Sequence, residues 1–256
     1  MSPRPTLVFV PGAWHGASTW EKVSSLLEEQ SYKCVKVSLP STSSNAATFG
    51  DDVKAVQAAV VAETTEGHDV VVVVHSYGGQ VGNSAVKGLT RKDDSSLAKG
   101  PSTGHIIGIA MMATGFTATG VSFLEGLGGT PPPFWKIDLE SGFAVLTVDP
   151  RPLFYHDLAE EEGNFWVSKL EKQSLKSLLE GGEYAYAGWK DVPVWYLATV
   201  DDQGLPIAIQ RMFVQMAKDA GADVTLREVE SSHSPMLSKP KETVEYLLEA
   251  VAAMVG

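Results

Sequence analysis

The chain holds a single cysteine, Cys34, so an internal disulfide and a cysteine-built metal site are both excluded. That usage fits a reducing compartment. Cationic residues are also scarce, 20 Lys and Arg against 31 Asp and Glu, for a formal net charge of −11. No cluster of them forms a basic stripe, and an acidic surface repels phosphate, so nucleic acid is not an expected partner. Long apolar runs are missing too. Val70 to Val74 is strand-length, far below the roughly 20 residues that span a bilayer, and Leu7 to Val10 is too short for a signal-peptide core. The expectation is a cytoplasmic protein with no membrane attachment. The sequence has no H-E-x-x-H spacing, and Gly126-Leu127-Gly128-Gly129 lacks the Lys and Ser/Thr of a phosphate loop. Neither a metal nor a cofactor is expected. What is present is 256 residues, 44% of them hydrophobic, enough for one large domain or a domain with an insertion.

Strand-like and helix-like segments alternate at first. Leu7 to Val10 precedes a helix over 19–30 with Trp20, Val23, Leu26 and Leu27 on its apolar face. Cys34 to Val37 leads to a helix over 49–63, where Val53, Val56, Val60 and Val61 recur at helical spacing. Asp51 and Asp52 fall in its first turn, where negative charge suits the helix dipole. Val70 to Val74 reads as a central strand buried on both faces. A charged, Ser/Gly-rich surface loop over 91–104 follows, then a buried strand over 105–112. From 114 to 186 the alternation stops, giving way to a Gly/Pro-rich loop, an aromatic stretch and an amphipathic helix pair over 158–179. It resumes with a strand over 194–199, a helix over 206–220, a strand over 224–229 and a helix over 241–254. The expected fold class is α/β, a mostly parallel sheet covered on both faces. Its core is 1–113 with 187–256, and 114–186 is a helical insertion.

The sharpest chemical signal is Val74-His75-Ser76-Tyr77-Gly78-Gly79, between the most buried strand and a helix. A serine on such a strand-to-helix turn has its hydroxyl pushed into the open. Small residues two before and two after it let the turn close; Gly78 supplies one, and Val74 stands where the other is usual. A serine becomes a nucleophile when a base takes its proton and an acid orients that base. In an open parallel sheet those partners come from loops at the carboxyl ends of later strands. Asp201 and Asp202 follow the strand over 194–199, and His233 follows the strand over 224–229, in the order Ser, Asp, His that this architecture uses. Either aspartate could be the acid. The developing oxyanion needs two donors: the N–H of Tyr77, beside the serine, and the N–H of Ala13, freed by the turn at Gly12 in Pro11-Gly12-Ala13-Trp14-His15-Gly16.

These residues resemble the α/β-hydrolases, specifically the small plant methylesterase and hydroxynitrile-lyase branch and its fungal relatives. The resemblance rests on Phe9 to Ala17, His75 to Gly79, Tyr196-Leu197 through Asp202 to Pro206, and Ser232-His233-Ser234-Pro235. It implies a triad of Ser76, Asp202 and His233, because relatives carry the acid four residues before a proline, here Pro206. It also implies that 114–186 is a lid. The lyases of this branch carry Thr where this chain has Gly12, and Lys where it has Ser234. Both markers are absent, which favours hydrolysis. Dehalogenases and epoxide hydrolases of the fold attack with aspartate, unlike Ser76.

The residues expected against substrate are Gly12 and Trp14 of the first loop with Phe134, Trp135, Phe154, Tyr155 and His156 of the lid. So many rings imply a small apolar or aromatic substrate, although a lid also needs rings for its own core. The functional expectation is a cofactor-independent serine hydrolase acting on a carboxylic ester or lactone. Rival readings are a C–C bond hydrolase or lyase-like enzyme on the same triad, an acyltransferase, and a non-catalytic small-molecule receptor. The implied partner is a small-molecule substrate, with a homodimer as the assembly to test for.

Overall fold

A computed structural model describes residues 4–91 and 103–255. Most of the loop expected over 91–104 lies outside the described residues. Six strands form one sheet in the order β2-β1-β3-β4-β7-β8: β1 Thr6–Val10, β2 Cys34–Lys36, β3 Val70–His75, β4 Ile106–Met112, β7 Val194–Thr199 and β8 Val224–Val229. Every pairing among them is parallel. Each residue of β1, β3 and β7 is buried, as expected for apolar, β-branched runs covered on both faces.

The chain leaves β1 towards β2 and then returns across β1 to β3, after which each new strand is added on the β3 side. Right-handed crossovers put the helices of the two directions on opposite faces. Thus α1 (Glu21–Glu28) packs on α10 (Pro240–Val255), and α2 (Phe49–Thr65) packs on α3 (Gly78–Ala85). The reversal lies between β1 and β3, and the crevice at the carboxyl ends of such neighbours is where an open sheet binds ligands. The loops carrying Gly12 and Ser76 both emerge there.

In α2, Val53, Val56 and Val60 are buried, but Val61 is 43% exposed, so its expected place on the apolar face is corrected. One residue past Val60 is a rotation of about 100°, which carries Val61 off the stripe. Asp51 closes a capping box with Thr48, whereas Asp52 turns inward and is fully buried.

The segment between β4 and β7 carries α4 (Phe123–Gly126), α5 (Pro150–Tyr155), α6 (Glu160–Ser168) and α7 (Leu175–Leu179). It also holds an antiparallel hairpin of β5 (Trp135–Asp138) and β6 (Phe143–Leu146), absent from the sequence reading. α8 (Ile207–Asp219) and α9 (Pro235–Ser238) complete the fold. Among the described residues no helix is long and apolar enough to cross a membrane.

Candidate active site

β3 ends in a sharp elbow. Ser76 sits at φ 50°, a left-handed conformation that costs a side-chain-bearing residue. The surroundings hold it there: its N–H donates to the Met112 carbonyl at 3.2 Å, and its carbonyl accepts from Gly79 N–H at 2.8 Å and Thr114 Oγ1 at 2.6 Å. A Cβ on Gly78 would lie 2.4 Å from the Pro11 carbonyl oxygen and 2.7 Å from that of Val10, so the elbow requires glycine there. Val74, in the other usual glycine position, is accommodated differently. Its Cγ1 occupies space where a Cβ on Gly82 would come within 2.3 Å. Gly82→Ala is therefore expected to destabilise the fold by about 1–3 kcal/mol through overpacking. Adding Val74→Ala should return part of that loss, read as non-additive urea midpoints in a double-mutant cycle; strict additivity would disprove the pairing.

The acid and base meet across two loops. Asp202 Oδ2 lies 2.8 Å from His233 Nδ1 and accepts from Thr199 Oγ1 at 2.8 Å. Oδ1 accepts the backbone N–H groups of Gly204 and Leu205, both at 2.8 Å. Burial pushes the Asp202 carboxyl up, but the His233 ring, the Leu205 N–H and the Thr199 hydroxyl outweigh it and hold it below the usual range. An ionised Asp202 accepts a hydrogen bond from Nδ1–H, so in the neutral ring Nε2 is the nitrogen with the lone pair. Asp201 has an exposed side chain and contributes its backbone alone.

His75 ties this pair to the elbow. Its Nε2–H donates to the His233 carbonyl at 2.8 Å, with the rings 4.8 Å apart. Burial, reinforced by the His233 and His15 rings, pushes its pKa well below the ordinary value, so it is a neutral donor.

Gly12 lies against Ser76. A Cβ on it would be 3.0 Å from Ser76 Cβ and 2.9 Å from His75 Nδ1. The next residues turn sharply, with Trp14 at φ 62°. The Ala13 carbonyl accepts from His15 Nδ1 at 2.6 Å, and His15 Nε2 accepts from the Tyr155 hydroxyl at 2.7 Å. Ala13 and Tyr77 are buried, yet among the described residues neither of their N–H groups donates to a protein acceptor. Buried backbone donors are nearly always paired, which sets these two apart.

The segment between β4 and β7 packs against these loops. Phe154 packs 5.5 Å from the His233 ring and 6.3 Å from Trp14, and Trp135 lies 6.4 Å from Trp14. Phe134 is half-buried against the core. Tyr155 is fully buried with its hydroxyl on His15, and His156 Nε2 donates to the Asp201 carbonyl at 2.8 Å. Asp157 accepts from Ser232 N–H at 2.9 Å, and the Phe154 carbonyl accepts from Ser232 Oγ at 2.9 Å. Residues 154–157 thus fasten the loops that follow β1, β7 and β8.

The sequence profile of the alpha/beta hydrolase family matches residues 7–246. The chain belongs to the α/β-hydrolase family. A fungal relative, the α/β-hydrolase nvfD of Aspergillus novofumigatus, is 29% identical over 98% of each chain. Methylesterase MES16 from Arabidopsis has a TM-score of 0.72 at 21% identity, covering 97% of this chain and 99% of its own. A pyrethroid hydrolase from Sphingobium faniae has a TM-score of 0.72 at 18% identity, covering 97% and 98%. At those identities the two structures share its fold.

In this α/β-hydrolase the sequence reading missed several groups that hold the site. Asp52 accepts from the Tyr77 hydroxyl at 2.7 Å, Thr199 and Gln210 support Asp202, and Gln173 reaches the Trp14 N–H. Their partners lie 3 to 159 positions away, and no local pattern marks the distant ones. Elsewhere, Glu63, Glu66 and His68 could offer three metal-ligand atoms. Glu63 already pairs with Lys33 at 2.8 Å and Thr6 at 2.8 Å, at the amino end of β1, away from Ser76.

Proposed function

We propose that this α/β-hydrolase cleaves a carboxylic ester or lactone of a small apolar or aromatic substrate through an acyl-enzyme on Ser76. The observation that carries the reading is the Asp202–His233 pair, with Nδ1 committed to the carboxylate and Nε2 left free, tied through His75 to the strained serine. Ser76 Oγ attacks the carbonyl carbon as His233 Nε2 takes its proton, and the carbonyl oxygen becomes an oxyanion between the N–H groups of Ala13 and Tyr77. His233 then gives the proton to the leaving alkoxide. Water, deprotonated by the same nitrogen, attacks the acyl group, and Ser76 regains its proton as the acid departs. Asp202 keeps the ring in the tautomer this needs.

Gly12, standing where the lyases carry Thr, supports hydrolysis over the lyase reading, and a side chain there would meet Ser76 and His75 within about 3 Å. A methylesterase and a pyrethroid hydrolase among the proteins of like fold lend the same support. Phe154 and Trp14 supply an apolar wall beside His233, suited to a substrate recognised by shape.

Intact-protein mass after brief exposure to a fluorophosphonate tests the nucleophile. Wild type is expected to gain one adduct and Ser76→Ala none. An adduct on both variants would move the nucleophile elsewhere, and no adduct on wild type would overturn the esterase reading in favour of a receptor.

A further inference from the structure

The left-handed turn at Trp14 is closed locally by the His15 N–H, which donates to the Gly12 carbonyl at 3.2 Å, and its other contacts come from the insertion. Trp14 N–H donates to Gln173 Oε1 at 3.3 Å, its carbonyl accepts from Glu171 N–H at 2.8 Å, and its indole N–H donates to the Ala144 carbonyl at 3.0 Å. The preceding carbonyl, that of Ala13, is held by His15, which Tyr155 holds in turn. With the Trp14 carbonyl and indole anchored, a change in its φ must swing the Ala13 side of the turn. The Ala13 N–H beside Ser76 moves with it. A tryptophan gains nothing intrinsic from a φ of 62°, so these contacts keep that N–H in place.

Gln173 is fully buried and is the centre of the arrangement. The Trp14 N–H can only donate, which fixes the Gln173 oxygen towards it and the amide nitrogen away. That nitrogen donates to Ser41 Oγ at 3.1 Å and Ser177 Oγ at 2.7 Å. Ser41 N–H donates to Asp52 Oδ1 at 3.0 Å, and Asp52 Oδ2 accepts from the Tyr77 hydroxyl at 2.7 Å. One buried chain of hydrogen bonds therefore runs from the residue after Ala13, through the insertion, to Tyr77.

We propose that Gln173 is a positioning residue that sets the Ala13 and Tyr77 N–H groups against each other, so that the oxyanion hole is complete only while the insertion is seated. This rests on Ser76 being the nucleophile. An insertion that lifts to admit substrate then also loosens the Ala13 donor, which couples closure to transition-state stabilisation.

The test is the second-order rate at which a fluorophosphonate labels Ser76, followed by mass across pH. In that reaction the Oγ–P bond forms, fluoride leaves, His233 takes the serine proton, and the phosphonyl oxygen occupies the oxyanion position. Gln173→Met, similar in size, is expected to slow labelling about 100-fold, the loss typical of one oxyanion donor. The pH midpoint should stay at the wild-type value, because the His233–Asp202 pair is untouched. Tyr155→Phe removes one hydroxyl and should slow labelling about 10-fold, in keeping with one lost neutral hydrogen bond; it decides the matter if Gln173→Met does not fold by near-ultraviolet circular dichroism. Labelling of folded variants within two-fold of wild type would overturn the inference, as would a slowed rate with a displaced pH midpoint. Failure of wild type itself to label would instead overturn the nucleophile reading.

Discussion

Asp202→Asn is expected to lower kcat/KM on an ester substrate about 10⁴-fold, as loss of the orienting carboxylate does in triad enzymes, while Asp201→Asn stays within about two-fold. The geometry dictates which way the new amide faces. Oδ1 of Asp202 receives two backbone N–H groups, from Gly204 and Leu205, and an amide NH2 cannot stand in for an acceptor there. The asparagine oxygen must take that position, which turns its NH2 towards His233 Nδ1. Nδ1 then has to accept, the ring proton moves to Nε2, and Nε2 can no longer take the proton of Ser76. Thr199 Oγ1, 2.8 Å from the other carboxylate oxygen, can rotate to accept, so the variant should fold. Steady-state kinetics on both variants decide the matter; equal losses, or a larger loss at Asp201, would mean that the pairing at His233 does not operate in turnover.

That register illustrates what the sequence could and could not disclose. Strand–helix alternation was legible because β1, β3 and β7 are mostly apolar and buried throughout, and a strand covered on both faces needs that composition. Ser76 was legible because its elbow needs small residues at fixed offsets, and Gly78 fills one of them. Spacing alone left Asp201 and Asp202 open, and likeness to relatives indicated Asp202. The β5–β6 hairpin escaped because each strand is four residues long, too short for period-two alternation to stand out. Asp51 and Asp52 look alike in sequence, yet one caps α2 while the other is buried under Tyr77. Gln173 and His75 act through partners 159 and 158 positions distant, contacts that only the assembled fold creates. His156 and Asp157 belong to the same class: what they hold is the backbone of other loops.

Two buried histidines, His15 and His75, make the fold sensitive to acid in a specific way. His15 is fully enclosed, and burial, only partly countered by its hydrogen bond to Ala13, lowers its pKa from 6.5 to about 4. The unfolded chain takes up a proton there below about pH 6.5, while the folded chain refuses it until about pH 4. Stability therefore falls as pH drops through that window and levels off below it. At 1.36 kcal/mol per pH unit, His15 alone accounts for about 3 kcal/mol, a large part of the roughly 5–15 kcal/mol that holds a domain folded. His75, held well below the ordinary value by burial, adds to the loss in the same direction. Asp52 works the other way, because burial raises its pKa, so wild-type acid unfolding mixes opposing contributions. The His15→Asn variant separates them. Its amide can still donate to the Ala13 carbonyl but takes no proton. It should be less stable than wild type at pH 7, where Tyr155 loses its acceptor, yet lose about 3 kcal/mol less between pH 7 and pH 4. Urea unfolding of both proteins at intervals across that range reads the difference. Parallel curves would mean that His15 protonates in the folded state as readily as in the unfolded chain, and that burial does not keep the ring between Ala13 and Tyr155 neutral.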